Sequence, residues 1–244
     1  MKGLIIAAGK GERLSSVCPV KPLLPVCGQA LIDWTVKALL KAGIKEIIVV
    51  IGYEGDRIEE HLKKQNYLEG AVLHFVRNEE WEKENGLSVY KAKELVDDRF
   101  ILLMSDHIFD PEILIKIKNE QIEDDELILA VDYRIDNHPY VDLDDVTRVQ
   151  VEDGHIISIG KGIIQYNAFD TGIFYCTPAL FTALEESQRL SKNFTLSGGV
   201  RIMAIKGKAR VMDIEDKFWI DIDDLKAYNK VEEFLKNNGR HLKD

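Results

Sequence analysis

The sequence predicts an α/β fold with a mostly parallel, mixed sheet flanked by helices. Three observations carry this. Short apolar runs alternate with stretches of helical spacing through the first half of the 244 residues. Some of these runs, Glu46–Ile51 and Phe100–Met104 above all, are apolar on both faces, as in strands buried inside a parallel sheet. The later half changes rhythm to a hairpin and short strands, which mixes antiparallel pairing into the sheet.

Taken in order, Lys2–Ala7 is the first strand and runs straight into Ala8-Gly9. Ala30–Ala42 has helical spacing and stops at Gly43, a C-terminal signal. Glu46–Ile51 is a strand, Asp56–Lys64 a helix, Val72–Val76 a strand and Leu87–Val96 a helix. The strand Phe100–Met104 ends at Ser105-Asp106-His107, and Pro111–Asn119 opens a helix with proline in its first turn. Leu127–Val131 is a further strand. Thr147–Val151 and His155–Ile159 flank Glu152-Asp153-Gly154, a hairpin with a D-G turn. Thr171–Tyr175 is a strand, Ala179–Ser187 a helix, Ala209–Met212 and Phe218–Ile220 short strands, and Leu225–Asn237 a charged closing helix. No linker rich in Pro, Gly or Ser divides the chain, so residues 1–244 read as a single domain.

Composition narrows the function. The net charge is −10, from 32 basic and 42 acidic residues, which is not the footprint of a nucleic-acid binder. No apolar run approaches the roughly 20 residues of a membrane span. The opening Met1-Lys2-Gly3-Leu4 reads as strand rather than signal peptide, so a cytoplasmic location is expected. Cys18, Cys27 and Cys176 form no C-x-x-C pair, which argues against a zinc site or a disulfide framework.

The stretch from Leu4 to Leu14 carries the most chemistry. A buried strand runs into Ala7-Ala8-Gly9-Lys10-Gly11-Glu12-Arg13. Gly9 and Gly11 let backbone N–H groups approach a phosphate, and Ala7 and Ala8 leave room for a flat base. A dinucleotide fingerprint fails because Leu14 stands where its third glycine belongs, and no P-loop Gly-Lys-Ser/Thr follows. Arg13 and the segment Lys21-Pro22-Leu23-Leu24-Pro25-Val26 accompany the loop. Asp106 and Asp221 each follow a short apolar strand, where open α/β sheets bind ligands. Two carboxylates from different strands suit Mg²⁺, which takes one or two carboxylates plus phosphate oxygens. Asp223 is a third candidate ligand, with helix capping as its alternative, and His107 reads as a supporting group.

The pattern A-A-G-x-G-x-R-L followed by K-P-L-L-P-V resembles the sugar-phosphate nucleotidyltransferase superfamily, over essentially the whole chain. The resemblance implies a Rossmann-like nucleotidyltransferase fold. In it about 1–132 would bind the nucleotide and about 133–244 the acceptor. It implies that Arg13 and Lys21 hold nucleotide phosphates as the catalytic cations, with Asp106 and Asp221 on Mg²⁺. Asn85, Gly86 and Ser88 match a segment that contacts base and ribose. Three further stretches, Met104–His107, Ile157–Lys161 and Tyr166–Phe174, look like those of CTP:inositol-1-phosphate cytidylyltransferases, and Phe194–Val200 adds to the likeness. That narrower resemblance implies CTP and inositol 1-phosphate as substrates, CDP-inositol and pyrophosphate as products, and a separate membrane synthase to use CDP-inositol. Lys161, between Gly160 and Gly162, would anchor the acceptor phosphate, and Asp170, Thr171 and Gly172 would line the acceptor site. A hexose-1-phosphate guanylyl- or thymidylyltransferase, a phosphocholine cytidylyltransferase and a non-catalytic nucleotide-binding subunit stand as alternatives.

Overall fold

The computed structural model describes residues 1–136 and 138–237. In chain order these residues form β1 (Lys2–Ala7), β2 (Pro25–Val26), β3 (Gln29–Ala30), α1 (Leu31–Lys41), β4 (Glu46–Ile51), α2 (Gly55–Lys63), β5 (Val72–Arg77) and α3 (Asn85–Lys91). There follow β6 (Phe100–Met104), β7 (His107–Phe109), α4 (Glu112–Ile117), β8 (Leu127–Asp132), β9 (Arg148–Glu152), β10 (His155–Gly160) and β11 (Ala168–Cys176). Last come α5 (Ala179–Ser191), α6 (Leu196–Ile205), β12 (Ala209–Asp213), β13 (Trp219–Asp221) and α7 (Leu225–Asn237).

One nine-stranded sheet, ordered β5-β4-β1-β6-β11-β8-β12-β10-β9, runs through both halves of the chain. β1 is parallel to β4 on one side and to β6 on the other. The chain therefore leaves β1 in opposite directions, and the crevice at its C-terminal end is where such sheets take ligands. β11 enters antiparallel between β6 and β8 and joins the two halves by backbone hydrogen bonds. The β9–β10 hairpin turns through Asp153 and Gly154, both at positive φ, as the D-G pair requires.

Period-two alternation splits β1 between two cores. Ile5 and Ala7 pack with α1, α2 and α4, whereas Leu4, Ile6 and Ala8 belong to the layer that α3, α5 and α6 cover. A third cluster lies under α7 and joins Leu14, Leu24 and Trp34 to Ile220 and Val231. It holds the small sheets β2–β3 and β7–β13 at the rim of the large one.

Most strands fall where the sequence puts them. The helix expected at Leu87–Val96 instead begins at Asn85, ends at Lys91 and continues as a 3-10 turn over Lys93–Leu95. α6 has no counterpart among the expected helices. It starts at Thr195, whose hydroxyl accepts from the Gly198 N–H at 3.0 Å.

Gly86 lets α3 pass close to the entry of α6. A Cβ there would fall 2.3 Å from the Phe194 carbonyl oxygen and 2.8 Å from Leu184 Cδ2. That contact explains the glycine without a nucleotide. Gly86→Ala is expected to overpack this crossing at a cost of about 1–3 kcal/mol. Thermal denaturation should show Tm falling by roughly 3–10 °C. An unchanged Tm would remove the packing explanation.

Candidate active site

The loop after β1 is built around Lys21. Gly11 has φ 65°, and a Cβ on it would stand 2.5 Å from Lys21 Cβ. Glycine is thus demanded twice there, by conformation and by the lysine stem beneath. Gly9 faces open space. Ala7 and Ala8 are buried at the strand end, and the Ala8 carbonyl accepts from the Tyr53 N–H at 2.9 Å.

Lys21 is only 7% exposed. Its Nζ donates to Asp106 Oδ2 at 2.7 Å and also to Asp223 Oδ1. Burial alone would lower its pKa, but Asp106, Asp221 and Asp223 overcome this and hold it above its usual value. Arg13 Nη2 pairs with Asp223 Oδ2 and lies 2.7 Å from Asp145 Oδ2. Lys161, in the turn after β10, pairs with the other oxygen of Asp145. Charges of alternating sign therefore run from Lys161 through Asp145, Arg13, Asp223 and Lys21 to Asp106.

The β7–β13 pairing sets Asp221 opposite His107, and the Ile222 N–H donates to the Asp106 carbonyl. That register brings two carboxylates from remote segments together. Asp106, His107 and Asp221 each offer a ligand atom within 4.8 Å of the others. His107 Nδ1 lies 2.9 Å from Asp106 Oδ1 and 3.9 Å from Asp221 Oδ1. Its ring stacks against Trp219. Burial works against charge on His107, yet Asp221 and Asp106 prevail and push its pKa up to about 9. Asp221 is raised to about 7, first by burial and then by Asp106 and Asp223, against the opposing pull of His107. Its Oδ1 is buried without a hydrogen-bond partner. An orphaned carboxylate oxygen beside a second carboxylate is a donor set that fits a hard divalent cation. Asp223, the third candidate ligand, places its oxygens on Lys21 and Arg13 and lies outside the Asp106–His107–Asp221 cluster. Nor does it cap α7: Asp224 Oδ1 accepts from the Ala227 N–H at 2.7 Å.

A cavity of about 220 Å³ opens over these groups, lined among others by Arg13, Asn85, Asp145, Lys161, Asp170 and Gly172. Asn85 reaches it while its Oδ1 accepts from the Leu196 N–H. Asp170 accepts from the Gly172 N–H at 2.8 Å, and burial pushes its pKa up to about 6. Gly172 has φ 73° and gives way to His107, whose Nε2 would lie 2.7 Å from a Cβ. Thr171 does not line the cavity: it is fully buried, and its hydroxyl donates to the Ala130 carbonyl at 2.8 Å. Ser88 is likewise buried and accepts from Asn78 Nδ2 at 2.9 Å, so its hydroxyl is structural. Asp145, which ties Arg13 to Lys161, went unnoticed in the sequence.

Residues 3–151 match the MobA-like NTP transferase domain, and the chain belongs to that family of nucleotidyltransferases. A protein of Aquifex aeolicus named "Bifunctional IPC transferase and DIPP synthase" is 32% identical over 95% of this chain and 51% of its own length. One of the same name from Rubrobacter xylanophilus is 34% identical over 90% of this chain and 48% of its own. The chain thus spans about half the length of these curated relatives. The solved structure of the inositol-1-phosphate CTP transferase from T. maritima superposes with a TM-score of 0.82 at 27% identity, over 97% of this chain and 96% of that one.

The raised carboxyl of Asp221 has a thermodynamic consequence. Between about pH 4, where an unfolded carboxylate titrates, and about 7, the folded state holds a proton that the unfolded chain has lost. In chelator, Asp221 should therefore make Tm fall as pH rises through that window. Asp221→Asn should flatten the fall, and a divalent cation should restore Tm at pH 7 in the wild type alone. A Tm profile identical in the two proteins would refute the strained carboxylate.

Proposed function

We propose that this chain transfers CMP from CTP to inositol 1-phosphate, forming CDP-inositol and releasing pyrophosphate. The observation that carries the reaction class is the buried Lys21–Asp106 pair at the C-terminal edge of the sheet, beside the orphaned oxygen of Asp221. The choice of acceptor is supported by the end-to-end likeness to the T. maritima transferase and by the names of the bifunctional relatives.

An oxygen of the acceptor phosphate attacks the α-phosphorus of CTP. A new P–O bond forms there, the bond to the β-phosphate oxygen breaks, and pyrophosphate leaves with the electron pair. The acceptor monoester has a second pKa of about 6, so its oxygen is already ionised near neutral pH and no general base is needed. The work left to the protein is alignment and charge neutralisation. Lys21, held charged and immobile, would meet the α-phosphate. Arg13 would take the departing pyrophosphate, and Lys161 the acceptor phosphate. Ala7, Ala8, Gly9 and Asn85 would face the nucleoside, and Asp170 would accept hydrogen bonds from hydroxyls of the polyol. Asp106 and Asp221 would hold Mg²⁺, with His107 fixing Asp106. When bound, the cation supplies Lewis-acid neutralisation of phosphate charge. This reading calls for a synthase that uses CDP-inositol, in line with the second activity in the relatives' names; among the described residues no helix is long and apolar enough to cross a membrane.

The reading is tested by offering CTP, UTP, dTTP, ATP and GTP against inositol, hexose and choline phosphates and following pyrophosphate release. Turnover should require CTP with inositol 1-phosphate, stop in chelator and return with Mg²⁺. Lys21→Met should lower kcat by at least about 10²-fold, the scale of losing one electrostatic stabiliser of the transition state. Lys161→Ala should raise KM for the acceptor while leaving Kd for CTP nearly unchanged. Equal turnover of a hexose 1-phosphate would reassign the acceptor.

A further inference from the structure

Asp145 lies between β8 and β9 and has no part in the chemistry above. Its carboxylate meets two cations of different origin: Arg13 from the loop after β1, and Lys161 from the turn after β10. Partial burial pushes its carboxyl up, but Lys161 and Arg13 outweigh that and hold it well below the usual carboxylate range. It is therefore an anion at any working pH. Its partners differ from Lys21 in one respect. The Arg13 and Lys161 side chains are 53% and 58% exposed, so their pairs with Asp145 are of the solvent-screened kind that exchanges at little cost.

We infer that Asp145 is a resident anion that competes with substrate phosphates: it gathers Arg13 and Lys161 at the mouth of the cleft and yields each to the phosphate it meets. This rests on the reading that these two cations meet substrate phosphates. The exchange frees the partly exposed Asp145 carboxylate to water and gives each cation a more highly charged acceptor. Each phosphate brings about two negative charges and three acceptor oxygens, more than the shared carboxylate offers either cation. The same exchange run backwards assists product departure. As pyrophosphate loosens, Asp145 returns to Arg13 beside Asp223, so the cation regains its second carboxylate and the product is not trapped.

The test is the affinity for inorganic pyrophosphate, titrated calorimetrically in the presence of Mg²⁺. Removing the competitor should tighten binding. Asp145→Asn is expected to lower Kd about fivefold, the scale of one or two exposed ion pairs that no longer have to be broken. Asp145→Glu keeps the charge and should stay near wild type. Asp144→Asn makes the same charge change one residue away, at an exposed position, and should move Kd by less than about twofold. In turnover, Asp145→Asn should lower both KM for CTP and the inhibition constant of pyrophosphate without raising kcat, whereas loss of a merely structural contact would raise KM. Weaker pyrophosphate binding in Asp145→Asn, or equal tightening in the two Asn variants, would overturn the proposal. Because binding is read without turnover, failure of the inositol phosphate assignment leaves this test intact.

Discussion

A lysine ammonium cannot be buried at the rim of a sheet unless carboxylates compensate it, and most of this site follows from that requirement at Lys21. Three segments far apart in sequence converge to meet it: the turn that begins at Lys21, the junction of β6 and β7 that carries Asp106, and the residues after β13 that carry Asp223. Gly11 has no side chain because the lysine stem occupies its place. Asp223 is committed to Lys21 and Arg13, and that leaves Asp221 short of a partner. Removing one member of such a buried pair typically costs about 3–5 kcal/mol, so the arrangement is fixed as a unit. Rigidity of this kind suits a reaction in which the protein supplies alignment and charge rather than a nucleophile or a base.

The parts of the fold that were legible in the sequence are those governed by local pattern. β1, β4 and β6 are apolar on both faces, which is the signature of a strand in a sheet covered by helices on both sides. The D-G hairpin was legible for the same reason. α6 was not. Its first turn contains Gly198 and Gly199, poor helix formers whose presence is explained only by what lies against them. A Cβ on the first would meet Ser187 Oγ, and on the second Leu184, both from α5. Tertiary packing makes that helix, and packing cannot be read from a window of residues.

The site divides in the same way. Gly11, Arg13, Lys21 and Asp106 were visible because they sit at a strand end or in a compact loop. Asp145 joins Arg13 from the other half of the chain, and no spacing rule relates the two. Thr171 is different, since the alternation of a strand already sends it to the face opposite Asp170. The family likeness of the whole Tyr166–Phe174 stretch concealed that simpler inference. Ser88 and Gly86 teach the same lesson: the first is consumed by Asn78 and the second by the chain at Phe194.

β11 does not pair regularly along its length. Its register against β8 shifts between Asp170 and Phe174, and within that irregularity Asp170 turns towards the cavity while Gly172 makes room for the His107 ring. One short piece of backbone thus serves the cavity wall on one side and the carboxylate pair on the other. Under the proposed reading, a redesign for a different phosphorylated alcohol would meet two territories around the cavity. Changes at positions 170–172 reshape the pocket and move the imidazole with it, so selectivity and metal loading would shift together. Changes in the loops around residues 140–147 and 161–166 reach β11 through the Thr147 carbonyl that accepts from the Asp170 N–H and through the Tyr166 ring against Phe169. They also reach Arg13 and Lys161 through Asp145, so there selectivity would shift together with phosphate binding.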